Sequence, residues 1–223
     1  LTAYESLFGP YRWERVGYVG VPFNYGAMEH ATNIAYPLLV INGSTAYDDL
    51  MAHELSHHWF GDLVTCSSAN EMWINEGWAV FSEFVFEEAI NGTAAASNYI
   101  RDKHADVIKK AHFDDGAFYP VCDVPHDVTY GTTVYDKGGM MVHTLRHYMG
   151  DSLFFDAVQQ YTNAYQWDNI TCAGMRDYFG SVSGVNLNDF FDAWIFTEGF
   201  PHFSVDSFAA VQNGGNYDVT VYM

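Results

Sequence analysis

Two histidines and two glutamates stand at spacings that could bind a metal ion and activate water. His53 and His57 are four positions apart, so on a helix they lie about 40° apart on one face and roughly 6 Å apart along the axis. Glu54 lies between them, and Glu76 follows after enough chain for one helix to end and a second to return. The pattern predicts that His53, His57 and Glu76 bind one divalent ion, with Glu54 beside it.

This ligand set is typical of a catalytic zinc site. Two imidazoles and one carboxylate leave the fourth tetrahedral position of Zn²⁺ open to water, whereas structural zinc sites are usually closed by four protein ligands. A carboxylate beside such a water can take its proton and later hand it to a leaving amine. Glu54 is therefore the predicted general base, and the predicted cofactor is one Zn²⁺ per chain. The remaining histidines show no comparable partners and are assigned to the surface or the core.

The periodicity of apolar residues predicts the helices that position these groups. Residues 45–61 form a predicted helix that carries both histidines, with Thr45 and Asp48 as a capping box at its start. Residues 75–90 form a second predicted helix with Asn75 as its N-cap, so that the glutamate ligand enters in the first turn.

The rest of the chain predicts an α+β fold: a small N-terminal β-sheet, a mainly helical lobe and the start of a β domain. Domain boundaries are expected at 1–200 for the catalytic domain, truncated at its N-terminus, and 201–223 for the first strands of a truncated β-sandwich. The predicted elements are strands and turns over 12–41 with a turn at Phe23-Asn24-Tyr25-Gly26, a helix over 94–111, a loop over 114–131, a helix from Thr133 to near Gly150 opened by a Thr133/Asp136 capping box, helices from Ser152, Thr171 and Asn186, and strands over 202–211 and 217–222.

Composition excludes some classes of partner. The 223 residues include 9 basic and 28 acidic side chains, a net charge of −19, which disfavours nucleic acid and anionic membranes because their phosphates would be repelled. An acidic cleft would instead attract the ammonium group of a peptide N-terminus. No apolar run is long enough to span a membrane. The sequence does not fix the compartment, although the acidic surface and few lysines favour a secreted or periplasmic protein.

The three cysteines, Cys66, Cys122 and Cys172, include no Cys-x-x-Cys pair, so they predict neither a zinc knuckle nor a disulfide framework. One disulfide remains open.

Three segments, in order, resemble the zinc aminopeptidases of the aminopeptidase N and leukotriene-A hydrolase family, gluzincins with a thermolysin-like catalytic domain. Gly26-Ala27-Met28-Glu29-His30 resembles the family's Gly-Ala-Met-Glu-Asn strand. The segment His-Glu-Leu-Ser-His-His-Trp-Phe-Gly-Asp-Leu-Val-Thr over 53–65, with 73–79, resembles its zinc helices. Tyr135-Asp136-Lys137-Gly138 resembles the segment that bears the family's catalytic tyrosine.

The resemblance implies further site residues. Glu29 would bind the free α-amino group of a peptide, which makes the enzyme an exopeptidase. Gly26, Ala27 and Met28 would contact the substrate, with Gly26 and Ala27 pairing with its backbone as an added strand. Tyr135 would donate to the oxyanion. The chain, which starts without Met and ends in a predicted strand, would lack the N-terminal β domain and the C-terminal helical domain of its own protein.

Two positions depart from the family pattern. His30 stands where Asn is usual, which leaves amine affinity and its pH dependence open. Asp62 stands where Asn is frequent and either supports a zinc-bound histidine or ends the helix, the second being favoured. Alternative functions are a dual-activity hydrolase of the lipid-epoxide kind or an endopeptidase on the same zinc centre, or a non-catalytic peptide-binding module.

Overall fold

The computed structural model describes residues 1–23 and 26–223 and confirms the α+β architecture. Helices make up most of it. They are α1 Thr2–Phe8, α2 Asp48–Ser56, α3 Glu76–Asn91, α4 Thr93–Asp106, α5 His112–Asp114, α6 Gly138–Met149, α7 Asp151–Ala164, α8 Cys172–Ser183 and α9 Asn188–Trp194.

The strands form three separate pairs. Two pairs are parallel, since a long crossover separates their members along the chain, and the third is an antiparallel hairpin. The pairs are β1 Tyr18–Val21 with β2 Ile34–Pro37, β3 Val64–Cys66 with β4 Asp168–Ile170, and β5 Ser207–Asn213 with β6 Asn216–Tyr222.

Helix α3 lies at the centre of the core. Every residue from Glu76 to Val85 is buried, which a helix shows when other elements cover all of its faces. Trp78 stacks on Phe60 at a centroid distance of 4.7 Å and on Phe154 at 5.8 Å. The residue that carries the predicted carboxylate ligand is therefore at the start of the most constrained helix.

Glycines let α3 and α6 approach backbone to backbone. A Cβ added to Gly77 would lie 2.9 Å from the carbonyl carbon of Gly138, and a Cβ added to Gly138 would lie 3.1 Å from the Cα of Gly77. A larger residue at either position would push the helices apart. This contact places the segment just before α6, which includes Tyr135, beside the first turn of α3.

Both capping boxes predicted from the sequence are wrong. Helix α2 begins at Asp48 after Tyr47, which makes no side-chain capping bond, and the first-turn N–H of Leu50 donates instead to the Asp49 carboxylate at 2.8 Å. The segment from Thr133 to Lys137 is a π-helical turn rather than the start of an α-helix, and the residue before it, Thr132, makes no side-chain capping bond. Local sequence favoured these caps, but packing of the site segments sets the boundaries instead.

The Asn75 cap is also wrong, because its Oδ1 accepts from the backbone N–H of Cys66 at 2.9 Å and ties α3 to β3. Helix α2 ends at Ser56 rather than Gly61, although His57 keeps helical backbone angles. The helix predicted from Thr171 is present as α8, and the Thr171 hydroxyl caps it by accepting from the N–H of Gly174 at 3.0 Å.

The structure also contains elements and a disulfide that the sequence pattern did not predict. Neither α1 nor the β3–β4 pair was expected, and the helix over 94–111 divides into α4 and a π-helical turn, Val107–Ala111. A disulfide joins Cys122, in the predicted loop over 114–131, to Cys172 at the start of α8, whereas Cys66 is a free thiol. The turn expected at 23–26 falls partly on Asn24 and Tyr25, which lie outside the described residues.

The β5–β6 hairpin is exposed at every residue, on both faces. Its sequence alternates apolar and polar residues as predicted over 217–222. Among the helices of residues 1–23 and 26–223, none combines the length and apolar character needed to cross a bilayer.

Candidate metal centre and active-site cleft

The structure brings His53, His57 and Glu76 together in the interior. The Nε2 atoms of both histidines lie 3.2 Å from the same oxygen, Oε2 of Glu76. Their rings are 4.8 Å apart and nearly perpendicular, so both nitrogens face one point. One imidazole from α2, a second from His57 directly after that helix, and a carboxylate from α3 thus form a preformed three-ligand cluster.

Each imidazole is held by a second hydrogen bond on its far side. Nδ1 of His53 bonds to Oε1 of Glu83 at 2.7 Å, and Nδ1 of His57 bonds to the carbonyl oxygen of Phe60 at 2.8 Å. Tyr99 donates from α4 to the other oxygen of Glu83. Such bonds fix the tautomer that leaves Nε2 to the metal.

Sequence reasoning missed Glu83 and Tyr99. Glu83 is two helical turns after Glu76, and this spacing on the same face of α3 is the signal that could have found it.

The cluster attracts positive charge. Burial lowers the pKa of His53, but hydrogen bonds to Glu76 and Glu83 outweigh it and raise the value to about 10. For Glu76, burial acts to raise the pKa, and the influence of His57 and His53 prevails and lowers it well below its usual range. Two imidazoles and an ionised carboxylate converging on one point form the donor set that Zn²⁺ takes in catalytic sites. The residues present therefore fit this metal.

Glu54 lies beside the cluster without being part of it. Its side chain is buried, and its Oε2 atom has no hydrogen-bond partner among the described residues. Burial raises the pKa of Glu54 to about 7, against the opposing effect of the two histidines. A carboxyl group with a pKa near neutrality exchanges protons readily with water, as a general base must.

Tyr135 lies against the cluster, next to His53 and Glu76. Its ring stacks 6.1 Å from the ring of His53 at an interplanar angle of 9°. Burial raises the pKa of the phenol, and the negative charge of Glu76 and a hydrogen bond with it raise the pKa further, so the group stays protonated as a donor.

The segment that carries Tyr135 is anchored from several directions. Asp115 accepts from the backbone N–H groups of Thr132 at 3.0 Å and Thr133 at 2.7 Å. Lys103 of α4 bonds to Asp136 at 2.6 Å. π-helical turns are frequent at functional sites, and this one directs the tyrosine toward the cluster while its neighbours hold the backbone.

The segment from Gly26 to His30 lies along the same cleft. The backbone N–H and C=O of Met28 both bond to Ala35 of β2 at 2.9 Å, as in an antiparallel bridge. Because bonding directions alternate along such a strand, the backbone groups of Ala27 and Glu29 face away from β2. Gly26 has φ +89°, which favours glycine.

One cleft of about 1000 Å³ contains all of these groups. Its walls include the whole set predicted from the sequence: Gly26, Ala27, Met28, Glu29, His53, Glu54, His57, Glu76 and Tyr135. The charge of Glu29 acts on Glu54 and on His57, which indicates that the three lie close together. His30, the departure from the family pattern, also lines this cleft.

Among the described residues, the Asp62 carboxylate makes no hydrogen bond to the ring of a predicted zinc ligand. Helix α2 has already ended when the chain reaches it, and its backbone N–H bonds to the carbonyl of His57 in the following turn. Its carboxylate faces His58, with Oδ2 3.7 Å from Nε2. Burial raises the pKa of Asp62 to about 7. His58 in turn bonds through Nδ1 to the hydroxyl of Tyr11 at 2.8 Å, a contact between residues 47 positions apart that no local pattern predicts.

Comparison with known proteins agrees with this geometry. The family model described as the Peptidase family M1 domain matches residues 1–194. The chain belongs to peptidase family M1. It is 28% identical over 224 residues to aminopeptidase B of Homo sapiens, covering 92% of this chain and 34% of that protein, and 28% identical to aminopeptidase N of Lactococcus lactis, covering 82% and 23%.

Solved structures of M1 enzymes share the fold. An M1 zinc metallopeptidase from Deinococcus radiodurans superposes with a TM-score of 0.77 at 21% identity, covering 90% of this chain and 43% of that one. Leukotriene A4 hydrolase from Saccharomyces cerevisiae has the same TM-score and identity, covering 91% and 35%. The chain therefore spans well under half the length of the M1 relatives that it matches.

Proposed function

We propose that this chain is the catalytic domain of a zinc-dependent aminopeptidase that removes N-terminal residues from peptides. The observation that carries the proposal is the single cleft that holds a His₂Glu cluster, a buried carboxyl group, a protonated phenol and a second carboxylate. M1 relatives named as aminopeptidases support the same reading. In this proposal residues 1–200 form the catalytic domain, and 201–223 begin a β domain that the rest of the protein completes.

His53, His57 and Glu76 would hold the ion, and Glu83 and the Phe60 carbonyl would keep the two imidazoles in place. When bound, Zn²⁺ supplies Lewis acidity that polarises a carbonyl group and lowers the pKa of water. Glu54 would accept the proton of the attacking water and deliver it to the leaving amine, for which its pKa of about 7 is suited.

Tyr135 would donate a hydrogen bond to the substrate carbonyl oxygen as negative charge develops there. Glu29 would pair with the free α-amino group and so set the distance from the N-terminus to the cleaved bond. Gly26, Ala27 and Met28 would align the substrate backbone along the exposed side of this segment.

Hydrolysis by the full-length protein of aminoacyl anilides and their N-acetylated forms, with and without a zinc chelator, tests the proposal. The free substrates should be cleaved, and the chelator should abolish this until Zn²⁺ is restored. Acetylated substrates should react about 30-fold more slowly or worse, because losing one partner of a desolvated charge pair costs about 2 kcal/mol or more.

A Glu29→Gln variant is the matched control, since it should lose most of the preference for the free amine. Equal rates for blocked and free substrates would favour an endopeptidase or a dual-activity hydrolase. Absence of stoichiometric zinc and of turnover would favour a peptide-binding module.

A further inference from the structure

Helix α6 carries a second pair of histidines at the spacing found in the metal centre. His143 and His147 are four residues apart, and their Nε2 atoms lie 3.1 Å from each other. Their rings are 4.5 Å apart at an interplanar angle of 80°. Two nitrogens bound to one tetrahedral Zn²⁺ at ~2.05 Å would be about 3.3 Å apart. The pair is thus already spaced to share an ion.

The surroundings hold one ring of the pair in place. His143 is buried, and the ring of Phe84 from α3 packs against it edge to face at 4.7 Å. His147 is exposed at the surface. A hydrogen bond between the two Nε2 atoms can join the rings in the absence of metal, and an ion entering between them would displace that proton.

A third imidazole comes from a different helix. The ring of His104, in α4, lies 6.4 Å from that of His143. Its side chain is exposed, so rotation about its own bonds can bring a nitrogen toward the pair without moving the backbone. An ion held by all three would link α4 to α6.

The neighbouring charges permit a cation at this position. Arg146 lies between the two histidines in sequence, but its guanidinium group donates to Asp151 at 2.8 and 2.9 Å and to Glu88 at 3.0 Å. Two carboxylates therefore offset its positive charge. The chain as a whole carries a net charge of −19.

From this arrangement we infer that His104, His143 and His147 form a second binding site for a divalent transition-metal ion, separate from the proposed catalytic centre. Imidazole donors suit Zn²⁺, Ni²⁺ or Cu²⁺ and do not suit Mg²⁺ or Ca²⁺, which prefer oxygen. No carboxylate of the described residues serves this site as Glu76 serves the first, since Glu88 and Asp151 both pair with Arg146. It binds more weakly than the first site and its role is to fasten α4 to α6.

An ion that links α4 to α6 would also affect the cleft, because both helices hold residues of the metal centre in place. Helix α4 supplies Tyr99 and Lys103, which contact Glu83 and Asp136, and α6 continues directly from the segment that carries Tyr135. An ion that joins the two helices would stiffen both supports of the metal centre at once.

Titration of Zn²⁺ and of Ni²⁺ into the metal-free full chain, followed by calorimetry and by metal analysis after gel filtration, tests the inference. The wild-type chain should bind two ions per chain, and the second should raise the melting temperature. His147→Gln and His104→Gln, both at exposed positions, should each weaken the second ion about tenfold or more and leave the first unchanged. His126→Gln, an exposed histidine remote from both clusters in sequence, is the control.

Several results would overturn the inference. One is a wild-type stoichiometry of one ion at micromolar metal. Another is second-ion affinity that stays at the wild-type level in either His147→Gln or His104→Gln. A third is a loss of equal size in His126→Gln. The second equivalent of Cu²⁺, observed as the difference between the electron paramagnetic resonance spectra of wild-type chain with two equivalents and with one, should show nitrogen hyperfine splitting, and a difference spectrum of oxygen ligands alone would count against the site.

Discussion

Two histidine pairs of identical spacing, His53/His57 at the end of α2 and His143/His147 in α6, have very different surroundings. The first pair is buried on the wall of the cleft, faces an ionised carboxylate, and has a hydrogen-bond partner behind each ring. The second pair is half open to solvent, and the buried Nδ1 of His143 has no hydrogen-bond partner among the described residues. Helical spacing alone therefore makes two imidazoles converge, and the charges and supports around them decide what the pair can do.

Comparison of the two histidine pairs shows that a catalytic metal site needs further groups beside its metal ligands. Within residues 1–23 and 26–223, no base or acid equivalent to Glu54 or Tyr135 contacts the α6 pair, and Phe84 and Arg146 pack beside it. A base and an acid placed next to a metal turn binding into chemistry. Without them, a site of the same ligand type is expected to have a structural role.

The largest expected effect is that of removing the base at the first pair. Glu54→Gln should reduce kcat by about 10²–10⁴-fold, because general base catalysis contributes that much, while zinc content stays the same. The measurement is anilide hydrolysis by the full-length protein, with Glu14→Gln, an exposed glutamate, as control. If the Glu54→Gln variant bound zinc and kept most of its activity, Glu54 would not be the base that distinguishes the first histidine pair from the second.

The second-largest expected effect is that of removing the phenol of Tyr135, the proposed hydrogen-bond donor to the oxyanion. Tyr135→Phe should lower kcat by about 10²–10³-fold with little change in KM, as when one oxyanion donor is lost. Tyr130→Phe is a matched control because Tyr130 lines the same cleft and is mostly exposed. An unchanged kcat in the Tyr135 variant would assign the oxyanion donor elsewhere.

A smaller effect concerns the support behind His53. Glu83→Gln should weaken zinc binding at the first pair by about 10–100-fold, since outer partners of metal-bound histidines contribute that much. Competition with a chromophoric chelator measures it, and Glu87→Gln on the same helix is the control. Equal weakening of both ion sites would show a loss of fold rather than of this hydrogen bond.

The smallest expected effect is that of removing a carboxylate that offsets the charge of Arg146 next to the second histidine pair. The hydrogen bond from Arg146 lowers the pKa of Asp151 from its usual value of 3.8. The folded state therefore binds fewer protons than the unfolded state. The stabilisation that the Arg146–Asp151 ion pair contributes is thus fully present above the unfolded-state pKa of Asp151 and is lost as the pH falls through its lower folded-state pKa.

Asp151→Asn should consequently reduce the free energy of unfolding by less than about 1 kcal/mol near neutral pH, because this carboxylate is largely exposed. The difference from wild type should vanish in acid. Urea unfolding at a series of pH values measures it, with Asp156→Asn as control. A difference that persists at the lowest pH would mean that the change acts through packing instead of charge.

Helices predicted from the periodicity of apolar residues are mostly present, because that periodicity reflects burial. Helix caps predicted from single residues are mostly absent. Helices α2, α3, α6 and α8 lie close to where the apolar pattern placed them. The predicted cap at Asn75 did not form because Asn75 bonds to β3, and that at Thr133 did not form because Asp115 holds the π-helical turn there. The predicted cap at Thr45 did not form either, since α2 starts three residues later, at Asp48. The β3–β4 pair joins segments about a hundred residues apart, a distance over which local pattern carries no information.

The sequence by itself determined the ligand types, their spacing on each helix, and the resemblance to M1 enzymes, because these depend on local geometry and on short motifs. Tertiary structure alone decided that Glu83 and Tyr99 support His53, that Gly77 and Gly138 bring Tyr135 to the cluster, and that His104 lies near the α6 pair. Those relations depend on contacts between helices. Helix periodicity orients a side chain on its own helix but does not specify which partner helix it meets.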